Sequence, residues 1–152
     1  MKIADLLTPD RVVAGFQPGD KAQLLGDLSR RAAARLNLPP SSVLQSLQAR
    51  ENLGSTGLGR GFALPHASVE GLGALFGLFM RLDRPIDFQA IDDKPIDLVF
   101  VLLFPAAVAG ERIAALAAIS RKFRDEAFVA RLRKTKTAPA LYHLLVADRS
   151  DP

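Results

Sequence analysis

Hydrophobic positions recur at helical spacing over much of the chain and run almost unbroken in two places. Ile3, Leu6 and Leu7 form a short amphipathic turn, and after Pro9 the segment 11–16, with Val12 and Val13 side by side, reads as a first strand. Asp20 stands where a helix N-cap belongs. Behind it Leu24, Leu25, Leu28, Ala32 and Leu36 repeat on one helix face, while Asp27, Arg30, Arg31 and Arg35 fall elsewhere. Pro39 and Pro40 end that helix. Ser41 or Ser42 is placed to cap a second one, whose stripe is Val43, Leu44 and Leu47 and which runs to about Arg50.

The second half of the chain opens on a glycine-rich stretch, followed by the runs 74–82 and 96–104, apolar at nearly every position. Strands buried on both faces have that pattern. Between them, residues 84–88 and 92–95 are turn chemistry with a short edge strand. From Gly110 the helical period returns, with Ile113, Leu116, Ala117 and Ile119 as one stripe, Phe128, Val129 and Leu132 as another, and Leu141, Leu144 and Leu145 as a third after Pro139. These elements predict an α/β fold: a single domain over residues 1–148 with a mixed β-sheet flanked by helices on both sides, and a loose tail at 149–152.

Composition narrows the chemistry. The chain has 152 residues, of which 49% are hydrophobic and 24% charged, a globular balance, and it has no cysteine. Disulfides, thiolate metal sites and cysteine nucleophiles are therefore excluded. The start shows no basic segment followed by an apolar core, so no signal peptide is expected, and the longest apolar run, 98–104, is far too short for direct membrane insertion. A cytoplasmic protein is the expectation. The net charge of +4 is concentrated: residues 121–136 hold seven basic and two acidic side chains. With Phe123 and Phe128 at helical core positions and no aromatic residue left for base stacking, this stripe reads as a solvated helix face or a docking surface for an acidic partner, and no nucleic acid is expected.

The stretch 50–67 carries the chemistry. Gly54, Gly57, Gly59 and Gly61 permit positive φ and close backbone approach, so the loop can aim N–H groups at an anion. It is not a P-loop, which needs Gly-Lys-Ser/Thr, and Phe62 stands where a dinucleotide fingerprint needs a small residue. What the stretch does offer is His66 behind Pro65, with Arg50 and Arg60 nearby and the hydroxyls of Ser55 and Thr56 between them. The other histidine, His143, falls within a helical pattern and reads as a surface or capping residue. No Gly-x-Ser-x-Gly elbow is present. Asp87, Asp92, Asp93 and Asp97 have the spacing of turns, not of a metal loop, so no metal site is expected.

The blocks Arg50-Glu51, Leu53-Gly54-Ser55-Thr56-Gly57-Leu58-Gly59 and Gly61-Phe62-Ala63-Leu64-Pro65-His66 resemble the phosphorylation-site signature of the mannitol/fructose-type enzyme IIA family of the bacterial phosphotransferase system, most nearly its nitrogen-branch member. Flanking blocks match in order: Leu6-Leu7, Leu38-Pro39-Pro40, Pro85-Ile86-Asp87-Phe88, Ala90-Ile91-Asp92 and Pro95-Ile96-Asp97-Leu98. The resemblance implies the enzyme IIA mannitol/fructose-type fold and a phosphoryl acceptor at His66, charged by the phosphohistidine of an HPr-type carrier, with Arg50 neutralising the group and Ser55 and Thr56 binding phosphate. No cofactor is implied, because the donor is already activated; transfer then needs positioning and cationic stabilisation. The family often has a second histidine on the helix after the central strand; this chain has Arg112 there, which can neutralise phosphate but cannot relay a proton at neutral pH. A chain without permease or IIB domains favours a regulatory phosphocarrier whose phosphorylation state controls binding to target proteins. The alternatives are a constitutive binding module on the same fold and the IIA component of a separately encoded sugar permease.

Overall fold

The computed structural model describes residues 1–107 and 109–147; the expected tail at 149–152 lies outside the described residues. The strands are β1 (Val12–Phe16), β2 (Gly57–Gly59), β3 (Phe62–Ala63), β4 (His66–Ser68), β5 (Phe76–Ile86) and β6 (Ile96–Phe104). The helices are α1 (Lys21–Leu36), α2 (Pro40–Asn52), α3 (Ala109–Phe123), α4 (Glu126–Lys134) and α5 (Ala138–Val146). The strand order is β1-β5-β6-β3-β2, with β4 also paired to β6. The sheet is mixed: β1 runs parallel to β5, β5 antiparallel to β6, and β3 and β4 both parallel to β6.

Both faces of this sheet are covered, which is why β5 and β6 are apolar without alternation. On one side α1 and α2 bring Leu24, Leu28, Val43 and Leu47 against Met80, Val99, Val101 and Leu103. On the other, α3, α4 and α5 bring Ile119, Phe123, Leu132, Leu141 and Leu145 against Phe79, Leu98, Phe100 and Leu102. Phe123 stacks on Phe62 with ring centroids 4.1 Å apart, tying α3 to the glycine-rich stretch.

β3 and β4 occupy one edge of β6 in a common register, Phe62 opposite Leu98 and His66 opposite Leu102. Leu64 and Pro65 separate them. Pro65 has no N–H to give the ladder, although its carbonyl still accepts from Leu102 N at 3.0 Å. The histidine thus opens a short strand clamped to β6, at the centre of the sheet.

Three local expectations are corrected. Neither Ser41 nor Ser42 caps α2: the helix starts at Pro40, whose fixed φ and missing N–H suit a first turn, and the Ser42 hydroxyl donates back to Pro39 O at 2.9 Å. Residues 84–86 are not turn but the end of β5, where pairing resumes between Ile86 and Ile96 after a register shift. Of the stripe expected on α3, Ile119 is buried and Leu116 packs against the core, but Ala115 and Phe123 complete the buried line at i, i+4 spacing and Ile113 is 62% exposed.

Candidate functional site

Arg50 and Glu51 lie in the last turn of α2, and the chain leaves that helix through Leu53 N to Arg50 O (3.1 Å) and Gly54 N to Glu51 O (3.0 Å). Gly54 has φ +148°, a conformation that glycine takes without a Cβ clash. The turn brings the Gly54 carbonyl to Arg50 Nη1, at 2.9 Å, and leaves Arg50 Nε 3.4 Å from His66 Nε2. On the opposite side of the ring, His66 Nδ1 is 2.8 Å from Leu64 O. A carbonyl only accepts, so Nδ1 carries the proton and Nε2 keeps its lone pair, facing the guanidinium.

The half-buried His66 has its pKa lowered below the usual histidine value. Burial is the largest cause. Arg50 and Arg112 act in the same direction, while the Leu64 carbonyl and Glu51 oppose it. Arg112, in the first turn of α3, lies with its guanidinium carbon 5.2 Å from the Phe104 ring centroid, at the end of β6. The helix start therefore holds a fixed positive charge within electrostatic reach of the imidazole.

Ser55 and Thr56 are engaged within the loop. The Ser55 hydroxyl donates to Phe88 O at 2.8 Å and accepts from Gly57 N at 3.1 Å. Thr56 is buried, its N–H meeting both carboxylate oxygens of Glu51 at 3.2 and 3.1 Å, and its hydroxyl donates to the same carboxylate. Glu51 also pairs with Lys21 Nζ at 3.0 Å, with only 5% of its side chain exposed. Its partnership with Lys21 had no signal in the sequence beyond its place next to Arg50.

Gly57, Gly59 and Gly61 serve a hairpin, β2 and β3. A Cβ on Gly57 would come within 2.7 Å of Ala90 Cβ, so the hairpin packs directly on the 88–91 segment. Arg60 takes a left-handed φ of +59°, its N–H held by Asp92 at 3.0 Å and its carbonyl by Arg133 Nη2 at 2.7 Å. Arg133 in turn bonds Asp97 at 2.9 Å. Asp87 and Asp92 accept from nearby backbone N–H groups, as turn residues do, but Asp97 is an anchor between β6 and α4. His143 is exposed on α5.

A mixed sheet covered on both faces, with an imidazole on a short strand along β6 held in one tautomer beside an arginine, defines an α/β domain of the enzyme IIA mannitol/fructose type. Residues 5–147 match the family described as phosphoenolpyruvate-dependent sugar phosphotransferase system, EIIA 2, and the chain belongs to that family. It is 40% identical over 145 residues to a nitrogen regulatory protein of Bradyrhizobium diazoefficiens, with 95% of each chain covered. The structure of the nitrogen regulatory protein IIA-Ntr from Neisseria meningitidis superposes with a TM-score of 0.89 at 32% identity, covering 94% of this chain and 98% of that one. IIA mannitol from Escherichia coli shares the fold, with a TM-score of 0.77 at 22% identity over 91% of this chain and 98% of that one. Among the described residues no helix is long and apolar enough to cross a membrane.

Proposed function

We propose that this protein is a regulatory phosphohistidine carrier, acting in the cytoplasm, that accepts a phosphoryl group on His66 Nε2 from an HPr-type phosphocarrier and changes its binding to target proteins with its phosphorylation state. The observation that carries this reading is the locked imidazole: Nδ1–H on Leu64 O, and the unprotonated Nε2 turned toward Arg50 Nε at 3.4 Å. The kinship with nitrogen regulatory proteins supports the regulatory half.

The chemistry balances on the groups present. Nε2 attacks phosphorus in line with the donor's P–N bond; the new P–N bond forms as the old one breaks, and its electron pair returns to the donor ring. That ring, protonated on its second nitrogen, leaves as neutral imidazole. The positive charge passes to His66, whose Nδ1–H stays on Leu64 O. Arg50 and Arg112 neutralise the phosphoryl oxygens, and Ser55 and Thr56 frame the loop that holds Arg50 in place.

Incubation with phosphoenolpyruvate, enzyme I and the HPr-type carrier should add one acid-labile phosphate, absent from His66→Ala. Arg50→Lys keeps the charge but loses the planar fork, so labelling should slow by roughly tenfold or more. Labelling of His66→Ala, or no labelling of the wild type, overturns the reading.

A further inference from the structure

Lys21, at the start of α1, and Glu51, at the end of α2, meet beneath the residues that hold Arg50. Glu51 accepts from Thr56 N–H and hydroxyl, and from Lys21 Nζ at 3.0 Å. Lys21 Nζ also donates to Phe88 O at 3.3 Å and lies 4.3 Å from the Phe88 ring centroid. Phe88 O is the acceptor for Ser55 as well. Lys21, Glu51, Ser55, Thr56 and Phe88 therefore form a closed hydrogen-bonded set joining α1, α2, the loop 53–56 and the segment before β6. On its outer side lies a cleft of ≈ 1020 Å³, whose walls include Lys21, Gln48, Glu51, Arg84 and Gln89.

A carboxylate in that place presents an electrostatic problem. It is adjacent in sequence to Arg50, it is almost wholly buried, and its field reaches His66. An unpaired anion there would oppose the arrival of a phosphoryl dianion and would be costly to bury. The lysine answers both objections. Because its ammonium is fixed by a carbonyl and an aromatic face as well as by the carboxylate, its charge stays put when the site above changes.

We propose that Lys21 and Glu51 are a positioning pair for phosphoryl transfer: Glu51 ties Thr56 to the end of α2 and so keeps Arg50 on His66, and Lys21 cancels the carboxylate's charge so that the site stays cationic toward the incoming group. This rests on His66 being the acceptor. A group held out of place by about an ångström can cost up to about a hundredfold in rate.

Lys21→Met, Lys21→Arg and Glu51→Gln are compared with the wild type by circular dichroism, by the rate of phosphorylation from the HPr-type carrier and by NMR titration of His66. The charged groups acting on that ring are Arg50 and Glu51 from α2, Arg112 from α3 and, through Glu51, Lys21 from α1. Lys21→Met and Glu51→Gln should each slow labelling by about tenfold or more, with Lys21→Arg restoring most of the rate. The His66 titration should move in opposite directions: upward in Lys21→Met, where the anion is unmasked, and downward in Glu51→Gln, where it is removed. Wild-type labelling rates in folded Lys21→Met, or slowed labelling with an unmoved His66 titration, overturn the proposal; if Glu51→Gln does not fold, Lys21→Met and Lys21→Arg decide it. A wild type that is not phosphorylated overturns the acceptor reading instead, and the titrations still test the pair.

Discussion

On the proposed reading, protonation and phosphorylation compete for the same Nε2 lone pair on His66, and the surroundings of the ring disfavour the proton. Burial, with Arg50 and Arg112, depresses the imidazole's proton affinity, so near neutral pH the ring is neutral. Phosphoryl uptake should be flat with pH above about 6.5 and fall as pH drops through the lower folded-state pKa. The same shift links to stability. Above the unfolded value both states are neutral; as pH falls below it the unfolded chain binds the proton first, so the folded state loses stability until its own pKa is passed. His66→Gln should lose this acid-dependent component, visible as a smaller difference in midpoint between pH 7.5 and pH 5.5 denaturation curves. Arg112→Gln should raise the His66 titration midpoint by NMR; an unmoved midpoint would show that the arginine in the family's second-histidine place does not act on the ring.

At the scale of elements, the β2–β3 hairpin decides where His66 sits, since β3 and β4 share one register on β6 and are separated by only two residues. Its tip depends on Gly61, with φ +79° and a vacancy where a Cβ would fall on the Arg133 guanidinium and within 3.0 Å of Asp97 Oδ1. Gly61→Ala should therefore destabilise the fold by about 1–3 kcal/mol, through backbone strain and displacement of Arg133 from Arg60 O and Asp97. Gly110→Ala is the matched control: it lies in α3 with nothing within 4 Å of the added carbon, and helix propensity favours alanine there. Equal urea midpoints for the two variants would show that the tip does not bear this strain.

Over the whole molecule, two exposed apolar side chains stand close in sequence to the cations proposed for the phosphoryl group. Leu53, 85% exposed, follows Arg50 at the end of α2, and Ile113, 62% exposed, follows Arg112 on α3. Neither contributes to a core. On the proposed reading, a carrier that reaches His66 would bury apolar surface here, and removing it from water contributes roughly 25 cal/mol per Å². Leu53→Asp combined with Ile113→Asp should weaken carrier binding by roughly tenfold or more by isothermal titration while leaving the melting temperature unchanged. Unaltered affinity would move the docking surface elsewhere.

Much of this protein could be read from local pattern, because local pattern reflects local physics. The continuous apolar runs announced central strands, since a strand buried on both faces has no polar side to show. Asp20 announced the start of α1, and its side chain does accept from Gln23 N at 2.8 Å. His66 and Arg50 stood out as a nucleophilic nitrogen and a cation flanking a glycine-rich turn, and they meet. Tertiary structure alone decided the partners that lie far apart in the chain. Lys21 and Glu51 are thirty residues apart, Asp97 and Arg133 thirty-six, and either carboxylate could have met solvent for all that its neighbours in sequence reveal. The face of α3 that is buried was likewise settled by Phe62 and Phe100, against which Phe123 packs, and not by the helix's own periodicity. Periodicity records how often a side chain turns inward; which group waits for it there is set by the packing of the other elements.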